Sequence, residues 1–196
     1  MKHSRSKWFK VVVILIACHL SPFTSIARPY LNDLNIRVVL NHNGDARITE
    51  VRRMQIDSEG TECYIGLGNM GGSQILDLQV SDETGRLFDN IGGWDINQSR
   101  SWKEGRCGIV NKRDGYELCW GLGDNGNRTY TTSYTITSLV RAYSDADAIR
   151  HVFLDQDVTP KPYHFKLTIV PCDSLYFTRE NTAVWGFRFR GEINFV

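Results

Sequence analysis

The residue best placed for acid–base chemistry in this chain is Glu50. It shares one face of an alternating segment with Ile48, Arg52, Met54 and Ile56, so either a bulge shifts this segment or the charged pair points inward. A buried carboxyl group can have a raised pKa, and glycoside hydrolysis needs two carboxylates held across a cleft. No motif pairs Glu50 with a second acid. We therefore expect Glu50 to pair with Arg52 or another base, and we predict no catalytic residue.

The remaining polar patterns are weak indicators of metal or nucleophilic chemistry. Calcium favours several oxygen ligands on a short flexible loop, and two groups offer such oxygens: Asp124 with Asn127, and Asp145, Asp147, Asp155 and Asp157. Neither group follows the EF-hand pattern, and turn or capping roles explain them more simply. No G-x-S-x-G segment is present, and the histidines after residue 28 have no metal-ligand partner nearby in sequence. We predict no metal site and no cofactor.

Tryptophans offer the main binding chemistry. Trp120 and Trp185 lie in apolar, strand-like segments and are expected in the core. Trp94 and Trp102 lie in the polar, glycine-rich stretch 89–105, and loops carry binding function on rigid scaffolds. Because sugars stack on exposed aromatic rings, a glycan-binding role for Trp94 and Trp102 is one hypothesis. The alternative is that both rings plug an open end of the fold.

The cysteines after the N-terminal segment are Cys63, Cys107, Cys119 and Cys172. Cys107 and Cys119 flank the turn-rich stretch 111–115 and could face each other across a hairpin, so we predict a disulfide between them. A loop this short would contribute roughly 2–3 kcal/mol in the chain-entropy account. The alternative is four buried free thiols. No C-x-x-C spacing occurs, which disfavours zinc and thioredoxin-like sites.

Residues 1–27 have the organisation of a secretory signal peptide. The apolar run Val11–Leu20 follows a basic start, and Ser25–Ala27 supplies small residues for cleavage; the basic residues are Lys2, Arg5, Lys7 and Lys10. The run is too short for a membrane span, which needs about 20 residues. The sequence therefore predicts an extracytoplasmic domain over residues 28–196, in the periplasm or at the cell surface.

A second interpretation of the N-terminal segment stays open. Leu15–Cys18 resembles a bacterial lipobox, in which the cysteine becomes the lipidated first residue. Cys18 would then tether the protein to a membrane. Our preferred prediction is cleavage after Ala27.

The mature chain is mildly acidic. The whole sequence has 23 Lys and Arg against 22 Asp and Glu, and removal of residues 1–27 leaves 19 against 22, a net charge of −3. Nucleic-acid binding needs clustered Lys and Arg to neutralise phosphates. No such run is present, so we expect no nucleic-acid partner.

Alternating apolar residues predict strands through almost the whole mature sequence. The clearest is 129–140, where Thr and Ser occupy one face and apolar residues the other. About ten short strands with polar turns and no long helical period indicate an all-β domain, an antiparallel β-sandwich with little helix. The predicted strands are 34–40, 46–56, 63–67, 75–80, 107–110, 116–120, 129–140, 149–154, 163–170 and 183–190, with another beginning at Ile193 and Phe195.

Several phrases carry a family resemblance: Val39–Glu50, Glu117–Gly121, Thr129–Ile136, Asp145–Asp147 and Trp185–Phe187. Together they resemble the N-terminal extracytoplasmic domain of the bacterial predicted membrane protein family called domain of unknown function 2207. The resemblance covers about residues 29–196. It implies a signal peptide, a β-rich outer domain and then transmembrane helices, and it supplies no catalytic residue to carry over.

The resulting functional expectation is a non-catalytic, envelope-associated interaction module whose partner is an envelope protein or a glycan. Membrane association would come through a C-terminal segment beyond Val196 or through lipidated Cys18. Two alternatives remain open. One is a carbohydrate-binding module that uses Trp94 and Trp102, and the other is a hydrolase of envelope polymers that uses buried acids such as Glu50.

Overall fold

The computed structural model describes residues 30–57, 59–154, 160–171, 177–185, 192 and 194. Several predictions lie outside these residues. They are the signal peptide over 1–27 with its alternative at Cys18, the cysteine Cys172, most of the predicted strand 183–190, and the strand expected at Ile193 and Phe195.

Eleven strands and one short helix make up the described part of the chain. The helix α1 covers Arg100–Lys103, so the prediction of little helix holds there. The strands are β1 Tyr30–Leu40, β2 Ala46–Ile56, β3 Glu62–Gly68, β4 Ile75–Ser81, β5 Asp89–Gly93, β6 Arg106–Lys112, β7 Gly115–Gly121, β8 Gly126–Ile136, β9 Val140–Ala142, β10 Asp147–Ile149 and β11 Pro162–Val170.

The strands form two main sheets and a ribbon. The five-stranded sheet has the order β11-β1-β2-β8-β4, the four-stranded sheet has the order β3-β7-β6-β5, and β9 pairs with β10. The all-β prediction is confirmed, but the sheets are mixed rather than purely antiparallel. Strand β11 runs parallel to β1, and β5 runs parallel to β6. A parallel neighbour needs a crossover connection, and the segment 94–105, which contains α1, provides one between β5 and β6.

The core lies between the inward faces of the two main sheets. Ile48 and Tyr134 of the five-stranded sheet and Leu118 and Trp120 of the four-stranded sheet are fully buried in it. On β2 and β8 these side chains alternate with outward polar residues, the pattern that predicted the sandwich. On β7 the intervening Cys119 is also buried. Burial of such side chains contributes about 1.5–3 kcal/mol each.

Three strand predictions need correction. The described part of the strand expected over 183–190, residues 183–185, lies outside the strands, and Trp185, which was expected in the core, is 77% exposed. The strand expected over 129–140 divides, because Ser138 adopts a positive φ of 50° and ends the extended run after β8. Its N–H donates to Asp45 Oδ1 at 2.8 Å, which holds the turn. The strand expected over 149–154 overlaps β10 only at Ile149, and residues 150–154 lie outside the strands.

Candidate functional site

Glu50 lies inside the sandwich, at the centre of the inward face of the five-stranded sheet. Its neighbours across the strands are Ile36 and Thr132, and only 3% of its surface is exposed. Arg52 Nη2 lies 2.9 Å from Glu50 Oε2, and Arg52 Nε donates to the same oxygen at 3.3 Å. Tyr134 Oη donates to Glu50 Oε1 at 2.7 Å. The charged pair therefore points inward, and the expected pairing of Glu50 with Arg52 is confirmed.

The electrostatics of this cluster favour an ion pair that stays intact. Burial lowers the pKa of Arg52, but the charge of Glu50 and the hydrogen bond to it more than compensate, so the pKa is raised overall. The Arg52 guanidinium also lies over the Trp120 ring, 5.8 Å from its centroid. Burial, followed by the charge of Glu50, raises the pKa of Tyr134 well above its usual value. Both carboxylate oxygens of Glu50 thus accept hydrogen bonds, one from Tyr134 and the other from Arg52. This arrangement favours a structural role for Glu50 over a role in hydrolysis.

Trp94 and Trp102 come together, with ring centroids 6.2 Å apart, but they do not form an open platform. Trp94 is 8% exposed, and its Nε1 donates to Glu62 Oε2 at 2.5 Å. The Trp102 ring carries the Arg106 guanidinium, 5.1 Å from its centroid. The hypothesis of an exposed stacking surface is therefore wrong for Trp94. Its ring packs beside Gly108 on the outward face of the four-stranded sheet, so the pair does not plug an open end of the fold either.

Lys103 lies beside this pair on the same face of the four-stranded sheet, and the sequence did not predict its role. Its side chain is 1% exposed, and its Nζ lies 3.0 Å from Glu62 Oε2, the oxygen that Trp94 contacts. Nζ also donates to the Ile96 carbonyl at 2.7 Å and to Thr61 Oγ1 at 3.1 Å. A buried lysine needs such a full set of acceptors. The sequence signal was weak, because a lysine in a polar segment is ordinarily exposed.

The predicted disulfide between Cys107 and Cys119 is absent, and both cysteines are free thiols. The hairpin itself is present as β6 and β7, but its register pairs Cys107 with Trp120 and Cys119 with Gly108. Residues one position apart along a strand point to opposite faces. The two sulfur atoms therefore lie on opposite sides of the four-stranded sheet, where no bond can join them.

Because these two thiols are buried, we expect the protein to lose stability at alkaline pH. Burial raises the pKa of Cys107 to about 11, and burial with the charges of Glu62 and Glu117 raises that of Cys119 to about 12. Since the folded pKa exceeds the unfolded value of 9.0, the stabilisation is fully present below pH 9 and is lost as the pH rises through the folded values. Urea unfolding between pH 7 and pH 10.5 should show this decline. The variant Cys119→Ala should show a shallower one, and an identical slope would contradict the assignment.

The outer face of the five-stranded sheet is the other candidate site. We use this name for the outward side chains of its strands. Four are basic: Arg37, Arg47, Arg53 and Lys166. Several others carry hydroxyl groups, among them Thr49, Thr131, Ser133, Thr135 and Thr168, and the valines Val39, Val51 and Val170 also lie on this face. The described residues place no second layer over this face, as is common for antiparallel sheets.

Three of these cations form a diagonal row. Lys166 lies opposite Asn35, two residues before Arg37 on β1. Arg47 lies opposite Val39, two residues after Arg37. Each cation is thus one pleat further along than its neighbour on the adjacent strand, a diagonal separation of about 7–8 Å between Cα atoms. The row crosses β11, β1 and β2 on one side of the sheet.

The outer face keeps a positive balance after its own ion pairs are counted. Asp77 lies 4.0 Å from Arg47, and Asp33 lies 3.9 Å from Arg53. Among the described residues, Arg37 and Lys166 have no ion pair. The outer face therefore has four basic groups and two acidic ones, whereas residues 28–196 as a whole have a net charge of −3.

The fold and its surfaces define the protein as an all-β sandwich domain with one open, polar sheet face. The chain belongs to the family described as "Predicted membrane protein (DUF2207) N-terminal domain", which it matches over residues 30–188. The sequence resemblance is thereby confirmed. The family description is compatible with an extracytoplasmic domain, although no helix among the described residues is long and apolar enough to cross a membrane.

Solved structures show only distant likeness. Yeast LTA4 hydrolase in complex with bestatin is 6% identical with a TM-score of 0.35, over 55% of this chain and 14% of that one. A protease candidate from Parabacteroides distasonis is 12% identical with a TM-score of 0.31, over 56% of this chain and 23% of that one. The chain thus spans less than a quarter of either protein. No curated protein sequence matches the chain.

Proposed function

We propose that this domain is a non-catalytic, extracytoplasmic interaction module of a membrane-anchored protein, and that the outer face of the five-stranded sheet is its contact surface. One observation carries the proposal: Arg37 and Lys166 are exposed cations without ion pairs among the described residues, on a sheet face that the described residues leave uncovered. The buried acid Glu50, by contrast, is already engaged by Arg52 and Tyr134.

The charge distribution favours an acidic partner from the cell envelope. A positive patch on a domain of opposite net charge restricts the orientation in which an acidic surface can approach. Nucleic acid fits poorly, since the patch has four basic groups offset by Asp33 and Asp77. Glycan stacking through Trp94 receives less support, because that ring is buried against Glu62 and Lys103.

Charge reversal at Arg37 tests the proposal. The full chain with Arg37→Glu is expected to lose about thirtyfold in retention on washed cell envelopes, because the reversal removes one cation and adds one anion, and each charge contributes ~1 kcal/mol to such an association. Retention is measured by co-sedimentation at low ionic strength. The matched control is Arg113→Glu, which makes the same charge change at the exposed β6–β7 turn. Equal retention of the two variants would contradict the proposed contact surface.

A further inference from the structure

We propose that the outer face of the five-stranded sheet docks on an anionic phospholipid surface, with Lys166, Arg37 and Arg47 contacting headgroup phosphates. This inference rests on the function proposed above and names its partner. Three properties of the face support an anionic phospholipid partner: its shape, the groups that it presents and the sign of its charge.

The shape of the face suits an extended planar partner. Five adjacent strands spaced about 4.8 Å apart give a surface roughly 20 Å across. The outward residues stand in continuous cross-strand rows, such as Thr168, Arg37, Thr49 and Ser133. These side chains form a broad surface rather than a groove, and a small ligand would be better held by a concave site.

The groups on the face suit phosphate. Guanidinium groups bind phosphate oxygens through two parallel hydrogen bonds, and lysine binds them as a point charge. Arg47 is already oriented across the sheet, since its Nη2 donates to Ser133 Oγ at 2.8 Å. Hydroxyl groups beside the row can donate further hydrogen bonds to phosphate. The diagonal spacing of about 7–8 Å allows the three cations to contact separate headgroups.

The charge of the face determines how the domain would lie. Each Lys or Arg near an anionic bilayer contributes about 1 kcal/mol of attraction, which salt screens within about 10 Å at 0.1 M. The acidic groups of the face, Asp33 and Asp77, each lie within 4.0 Å of an arginine. The rest of the mature domain is acidic, so a negative surface attracts the outer face and repels the other sides. The family description, a predicted membrane protein N-terminal domain, is compatible with such a surface nearby.

Lysine footprinting on the full chain tests this orientation. The protein is treated with an amine-reactive reagent, with vesicles of equal phosphatidylglycerol and phosphatidylcholine or with phosphatidylcholine alone, and modified lysines are quantified by mass spectrometry. Lys166 should react about fivefold more slowly with the anionic vesicles only, and salt at about 1 M should abolish the protection. Lys112, the half-exposed last residue of β6, is the internal control and should react equally in all samples.

The outcomes separate this inference from the proposed function. Unchanged reactivity of Lys166, or equal protection by both kinds of vesicle, would overturn the anionic-lipid assignment. If envelope retention still depends on Arg37, the contact surface stands and another envelope component occupies it. If retention does not depend on Arg37, the proposed function falls as well. The variant Arg37→Glu changes an exposed side chain and should also lose the protection of Lys166, with an unchanged circular dichroism spectrum.

Discussion

The variant Glu50→Gln is expected to lower the free energy of unfolding by about 3 kcal/mol. The substitution keeps the shape of the side chain but removes its charge, and this leaves the Arg52 guanidinium, 8% exposed, without its counter-ion. Removal of one partner from a buried ion pair costs about 3–5 kcal/mol, because the remaining charge stays out of water. Urea unfolding followed by tryptophan fluorescence at neutral pH measures the change.

Two further variants show whether burial is the cause. Glu117→Gln removes an acid from the more exposed pair that Glu117 forms with Lys112 at 3.0 Å, and its effect should stay under about 1 kcal/mol. The double variant Glu50→Leu with Arg52→Met removes both charges and should be more stable than Glu50→Gln alone. A small effect of Glu50→Gln, combined with loss of a polysaccharide-cleaving activity, would instead support the hydrolase alternative.

The inward position of Glu50 shows what the sequence could predict. Period-two alternation placed Glu50 and Arg52 on the same face as Ile48, Met54 and Ile56, and β2 keeps this alternation without a bulge against β8. The same local pattern gave the apolar and hydroxyl faces of β8. Such predictions succeed because they depend only on neighbours along one strand.

Features that depend on how the strands pair could not be predicted from the sequence. Alternation carries no strand direction, so the parallel pairing of β11 with β1 was missed, and with it the alignment of Lys166 with Arg37. The disulfide prediction required a register in which Cys107 and Cys119 lie on the same face of the sheet. A shift of one residue in the register moves a side chain to the opposite face. The burial of Trp94 depends on Glu62, which lies on a different strand.

The docking of the segment 94–105 on the four-stranded sheet depends on Gly121, and this gives the second large prediction. A Cβ atom at Gly121 would overlap the carbonyl group of Lys103, which is backbone and cannot move aside without displacing α1. Gly121→Ala is therefore expected to destabilise the protein by about 3 kcal/mol, at the upper end of typical overpacking. The measurement is again urea unfolding. Acrylamide quenching should also increase, since α1 holds Trp94 and Lys103 in place.

Gly68→Ala is the matched control for this effect. Gly68 ends β3, and a Cβ atom there would meet nothing within 4 Å. The free energy of unfolding of Gly68→Ala should stay unchanged or rise by about 0.4–1 kcal/mol, because alanine restricts the unfolded chain more than glycine does. Equal stability of Gly121→Ala and Gly68→Ala would mean that the segment 94–105 can shift away from the added Cβ atom without a loss in the free energy of unfolding. The network of Lys103, Glu62 and Trp94 would then be a loose cover rather than a fixed part of the sandwich.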